Sequence, residues 1–155
     1  MLASTLVVGP RSRMVRHPAA PVLSGVPSMN NPALGDAAKL VGRILLALMF
    51  VLGGWSKING YAGTQAYMAS AGVPGILLPL VIVVELIGGL MIIIGFKTRL
   101  VALALFAFTI AASVLFHMNW AQPMQQLLFM KNLSVAGGFL VLFAAGAGAY
   151  SADRQ

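Results

Sequence analysis

From Ala37 onward the chain falls into four apolar runs that carry almost no charge, and few folds are open to such a pattern. The first run covers Ala37–Trp55, with Lys39 and Arg43 near its start. The second covers Val73–Phe96 and holds one charge, Glu85. The third, Leu100–Phe116, holds none, and the fourth, Leu127–Tyr150, has Lys131 and Asn132 close to its beginning. At about 1.5 Å per residue each run can cross about 30 Å of hydrocarbon as an α-helix. A helix lying on a water-soluble core would show a polar stripe, and the second and third runs show none. Charged residues are 8% of the 155, against about 25% in a soluble domain. The reading is an all-α chain: a transmembrane four-helix bundle over residues 37–150, with a basic amino-terminal arm before it and a short tail, 151–155, after it.

The formal net charge is +7, but the cations are scattered and no Lys/Arg stripe is interleaved with stacking aromatics, so nucleic acid is not an expected partner. The partner is the lipid bilayer. The cations instead flank the spans, where they set orientation. The chain has no Cys, which removes disulfides, thiolate metal sites and thiol redox chemistry within it. His17 and His117 are expected on opposite sides of the membrane and offer no shared metal or haem site. The oligomeric state is left open.

Residues 1–36 read as a disordered basic arm. Pro10, Pro18, Pro21, Pro27 and Pro32 interrupt any helix, Arg11, Arg13 and Arg16 supply charge, and no acid precedes Asp36. The short apolar stretch comes before the arginines, the reverse of a secretory signal. Met29 is an alternative start, with residues 1–28 as an extension. The arm, the Lys97–Arg99 turn and Arg154 fall on one side of a four-span bundle, against Lys57 and His117 on the other. The positive side is the cytoplasm, which places both termini inside.

The three-residue turn at Lys97–Arg99 makes the second and third spans antiparallel neighbours. The longer Ser56–Gly72 connection contains Tyr61, Thr64, Gln65, Tyr67, Met68 and Ser70. An interfacial helix, a re-entrant segment and a plain loop all remain open for it.

Glu85 is the most informative polar residue. A charge at the centre of a span costs about 3 kcal/mol on insertion scales, so the group should face the bundle interior and hold a partner or a proton. Glu85 is therefore the candidate proton-handling residue. Lys131 is its expected partner, because both residues sit in the outward halves of parallel spans; the alternative for Lys131 is reaching to the headgroups. Lys57 and His117 end their spans on the same side. Together with Lys131 they would form a cationic vestibule above Glu85, although ordinary interfacial anchoring explains each singly, and Asn132 would cross-link helices by hydrogen bonds. Arg43 is expected to extend back toward the cytoplasmic headgroups. Gly88, Gly89, Gly137 and Gly138 suit close helix packing, and Trp55 and Trp120 suit the aromatic belt.

Taken in order, several of these motifs resemble the DoxX family of small bacterial inner-membrane proteins, from about Leu40 to Arg154. They are Gly42-Arg43, Gly53-Gly54-Trp55-Ser56-Lys57, Tyr67-Met68-Ala69-Ser70-Ala71-Gly72-Val73-Pro74, Glu85 with Gly88-Gly89, Gly95-Phe96-Lys97-Thr98-Arg99, His117, and Phe129-Met130-Lys131-Asn132-Leu133 with Gly137-Gly138. The resemblance implies a four-helix protein of the bacterial cytoplasmic membrane. Relatives are linked to quinone-dependent thiosulfate oxidation, and others to membrane-associated oxidoreductase assemblies in oxidative-stress defence. Two readings follow. In one, the chain is a membrane subunit of a quinone-linked oxidoreductase assembly with an oxidoreductase partner subunit. Glu85, Lys57, His117, Lys131 and Asn132 would then receive a quinone headgroup or a small anion. In the other, it is a non-catalytic scaffold or small-solute carrier, and the buried charges clamp helices. No inverted repeat is visible, so scaffold outranks carrier.

Overall fold

The structure is a computed structural model that describes residues 31–153. It contains α1 (Pro32–Asn59), α2 (Tyr61–Ser70), a single 3-10 turn (Gly75–Leu77), α3 (Leu78–Ile94), α4 (Thr98–Phe116) and α5 (Pro123–Ala145). Four of these are long and apolar enough to span a bilayer: α1, the 3-10 turn with α3, α4 and α5. The chain is an all-α transmembrane four-helix bundle. Residues 1–30, including the alternative start at Met29, and Arg154 lie outside the described residues.

Helix α1 starts earlier than expected. Asn31 adopts an extended conformation and its side chain accepts from the Ala33 amide at 3.1 Å, while Pro32 opens the helix. Proline needs no hydrogen bond at that position, so the proline taken as part of the arm is a helix start. Asp36 then pairs with Lys39 one turn on, at 3.4 Å. The Ser56–Gly72 connection resolves as a short helix, α2.

Lipid-facing positions carry the apolar side chains: Leu45, Leu100 and Val141 are each about two-thirds exposed. In water such surfaces would be a liability; in hydrocarbon they need no cover. The bundle interior is small by comparison. Ala47, Phe50, Ile92, Val101, Ala102, Leu105, Phe139 and Leu142 form its core, with Phe50 and Phe139 edge to face at 5.2 Å.

Helix α1 packs along α3 and α4 along α5; α3 also meets α4, and α1 meets α5. Glycine permits the closest approach. A Cβ on Gly54 would lie 3.1 Å from the Leu86 backbone nitrogen, and one on Gly89 would lie 2.8 Å from Val51 Cγ2. Small residues at the contact let two helix backbones come together where lipid provides no hydrophobic drive.

At the end carrying the α3–α4 turn, the chain folds back on itself. Helix α5 stops at Ala145 rather than continuing to Tyr150, because Gly146 turns out of the helix with φ of 73°. The following segment crosses the α3–α4 turn: the amides of Ala152 and Asp153 donate to the carbonyls of Ile94 and Gly95. Arg43 does not extend to the headgroups. It is 1% exposed and donates to the Tyr150 carbonyl. The returning tail covers the path that a snorkelling arginine would take.

Asp153 completes this end. Its carboxylate accepts from the amides of Lys97 (2.7 Å) and Thr98 (2.8 Å), the open amino terminus of α4. Burial works to raise the Asp153 pKa, but the Thr98 and Lys97 amides and the Arg43 charge outweigh it and hold the carboxyl below its usual value.

Candidate functional site

The half of the bundle opposite that turn is not filled. A cavity of about 490 Å³ lies there, walled by Met49, Phe50 and Gly53 of α1, Val81 and Val84 of α3, and Phe108 and Ala112 of α4. It is within the size range of small-molecule sites. Helix α2 forms part of its wall through Thr64, Tyr67 and Met68. Met68 is buried, and Tyr67 stacks on Phe116 at 5.4 Å, which ties α2 to the end of α4.

Four of the five residues singled out from the sequence meet in this cavity: Lys57, Glu85, His117 and Asn132. They come from α1, α3, the end of α4 and α5. Glu85 is 8% exposed and is bonded to Lys57, whose Nζ donates to Oε2 at 2.7 Å. Nearby, His117 Nδ1 is 2.7 Å from Oε1 of Gln125. An amide oxygen only accepts, so Nδ1 is the donor in this contact.

The fifth, Lys131, does not join them. It is exposed and stands outside the cavity lining. The expected Glu85–Lys131 pair is replaced by Glu85–Lys57, and helix adjacency is the reason. Among the described residues α3 packs on α1 and α4 and makes no close approach to α5. Glu85 therefore looks toward the glycine face of α1: a Cβ on Gly53 would lie 3.4 Å from Glu85 Oε2 and 3.6 Å from Lys57 Nζ. Lys57 follows Gly53 by one turn on that same face. Lys131 retains the headgroup-reaching alternative.

Sequence reasoning passed over Thr109. It is buried, and its hydroxyl donates to the Leu105 carbonyl, with Ser113 one turn on donating to Thr109. The signal was present as a Thr/Ser pair four residues apart in an apolar run, which marks an inward face of α4.

Comparison with known proteins matches the family model for DoxX over residues 38–118. The chain belongs to the DoxX family. Among similar DoxX-related proteins, the inner membrane protein YqjF of Escherichia coli is 54% identical over 121 residues, covering 78% of this chain and 93% of YqjF. Escherichia coli YphA, also named an inner membrane protein, is 37% identical over 123 residues, covering 75% of this chain and 88% of YphA. A more distant match, the Bacillus subtilis protein named "Putative oxidoreductase CatD", is 33% identical over 80 residues, covering 52% of this chain and 59% of CatD. No solved structure matches this DoxX-family chain.

Proposed function

We propose that this DoxX-family protein is a quinone-binding membrane subunit of an oxidoreductase assembly in the bacterial inner membrane. The observation that carries the reading is the cavity: an apolar chamber with a part-buried ion pair, Lys57–Glu85, at its wall. A flat ring with carbonyl acceptors fits such a chamber. The donors present, Lys57 and Asn132, have the chemistry to hold those acceptors, His117 keeps Nε2 free to accept from a reduced, hydroxyl-bearing head, and Glu85 is placed to exchange a proton with the bound head. A quinone would supply two-electron, two-proton chemistry that a chain without Cys does not have by itself. The name of CatD points the same way.

Both termini are assigned to the cytoplasm. Lys39, Arg43, Lys97 and Arg99 lie at the end with the folded-back tail, against Lys57 and Lys131 toward the other, and the positive-inside rule then orients the bundle. The cavity faces the periplasmic half. A reporter fused to the carboxyl end and read as external would reverse this.

The test of function is titration of a short-chain benzoquinone into the protein purified in mild detergent. Saturable binding is expected, weakened about tenfold, or 1.4 kcal/mol, by Glu85→Gln or by Lys57→Ala and unchanged by Lys131→Ala. Absence of saturable binding removes the reading. The scaffold reading has one observation in its favour, the fully formed ion pair joining α1 to α3. A helix clamp survives exchange of the two charges, Lys57→Glu with Glu85→Lys, with folding and phenotype intact; a proton-exchanging Glu85 does not.

A further inference from the structure

The cavity is closed and open in different directions. Toward the water it meets α2, which is held at both sides: Tyr67 stacks on Phe116 at the end of α4, and Gln65 Nε2 donates to the Gly75 carbonyl at the start of the second span, at 3.2 Å. Toward the core it ends where α3 and α4 touch; a Cβ on Gly88 would lie 3.2 Å from Leu105 Cδ2. Leu77, Leu80, Ala111 and Leu115 line the cavity, yet all four are also exposed on the outside of the bundle, Leu80 at 61% and Leu115 at 53%. Tyr67 and Met49 also line the cavity while exposed, at 51% and 38%, but Tyr67 is stacked on Phe116. Four of the six exposed lining residues belong to the second and third spans, and the gap between these spans is the broadest opening to the exterior, the cavity's mouth.

That mouth lies in hydrocarbon, not in water. Leu80 and Ala111 are each five residues from the outer ends of their spans, Gly75 and Phe116, a depth of about 8 Å at 1.5 Å per residue. All four rim side chains are apolar. A polar substituent leaving through this gap would lose its water without gaining a partner, whereas an alkyl chain passes from hydrocarbon to hydrocarbon.

Resting on the quinone reading above, we infer that the ligand reaches the cavity sideways from the bilayer, through the cleft between the outer halves of α3 and α4. Its head sits beside Lys57 and Glu85, and a single hydrocarbon chain remains in the cleft between Leu80 and Ala111. The ligand class is then a membrane-dissolved, single-chain amphiphile, and water-borne solutes and small anions are poor ligands. Helix α2 is the roof that enforces this by covering the water side.

Two arms test access and head chemistry separately, both on the full chain in phosphatidylethanolamine/phosphatidylglycerol vesicles. In the first, a long-chain alcohol bearing a diazirine in mid-chain is photolysed in the membrane and the labelled peptides are sequenced. Label is expected on Phe108 and Thr109, inside the cavity or behind it, and on Val114, on the lipid face of α4. Ala111→Trp should cut the interior label about tenfold, while Val114→Trp, away from the mouth, should leave it unchanged. Interior residues that stay unlabelled while Val114 is labelled overturn the lateral route, and so does interior labelling unaffected by Ala111→Trp. In the second arm, decyl-benzoquinone is expected to bind about tenfold or more tightly than methyl-benzoquinone, with that preference lost in Ala111→Trp. Equal affinity of the two overturns the tail's place in the cleft. If neither quinone binds but the alcohol labels the interior, the quinone head is wrong and the lateral route stands.

Discussion

Removing Lys57 should destabilise the bundle more than removing Glu85, and removing both should cost less than either alone. At 2.7 Å two unit charges attract by about 6 kcal/mol for an effective dielectric constant of about 20. Withdrawing the pair from water costs several kcal/mol per ion, so the pair is near balance as a whole. Breaking it from one side does not balance, because the surviving charge keeps its desolvation and loses its partner. The side chains differ in what they are left with: that of Glu85 is 10% exposed and that of Lys57 is 28% exposed. Lys57→Met strands the more buried charge, for which a loss of about 3 kcal/mol is expected. Glu85→Gln leaves a lysine near the end of α1 that can turn toward headgroups, and a loss of about 1 kcal/mol is expected. The combined Lys57→Met and Glu85→Leu change should come out within about 1 kcal/mol of wild type. Unfolding in mild detergent, followed by the fluorescence of Trp55 and Trp120, reads these differences. About 3 kcal/mol corresponds to roughly 6–12 °C for a chain of this size. Additive single effects, or a Lys57→Met variant as stable as wild type, would show that the contact contributes nothing and would refute the argument.

The glycines give a paired prediction. Gly89→Ala forces a methyl against Val51 Cγ2 at 2.8 Å, with Val51 backbone nitrogen at 3.2 Å behind it, and should cost about 1–3 kcal/mol; Gly137→Ala, with nothing within 4 Å, should instead be neutral or stabilising by up to about 1 kcal/mol. The same thermal scan separates them. Gly95→Ala is expected to release the tail: its φ is +72° and a Cβ there would collide with Arg43 Nη1 and Ser151 Cβ. The backbone term alone is about 1–2 kcal/mol, and faster limited proteolysis at the carboxyl end is the readout. Asp153 gives a pH dependence. Its carboxyl is held below the usual 3.8, so its contribution is fully present above that value and is lost as pH falls through the lower, folded value. A stability difference between wild type and Asp153→Asn should therefore be constant near neutrality and vanish in strong acid. A difference that grows as pH falls would contradict the cap on α4.

Much of the site was legible because it consisted of exceptions to a pattern. Against an apolar background, Glu85, Lys57, His117 and Asn132 stood out one by one, and four spans in alternation put them in one half of the membrane. The partner of Glu85 was not legible. Depth and direction along a helix follow from residue count, but Lys57 and Lys131 both satisfied them, and nothing in the linear pattern says which helix lies beside which. Arg43 failed in the same way. An arginine near a span end snorkels unless something covers it, and here a segment more than a hundred positions away does. Pro32 was misread because proline density was taken as helix-breaking throughout, although at the first helical position proline is favoured.

The sequence by itself determined that this DoxX-family chain lives in hydrocarbon as four helices, since so few charges cannot clothe a water-facing surface and backbone groups in lipid must bond within their own segment. Only the tertiary structure decided helix adjacency, and with it the Lys57–Glu85 pair and the cavity walled by α1, α2, α3 and α4. Composition fixes what solvent a surface tolerates, whereas neighbours are chosen by local shape. In this bundle that shape is set by single glycines, where two backbones come close enough for one side chain to reach another.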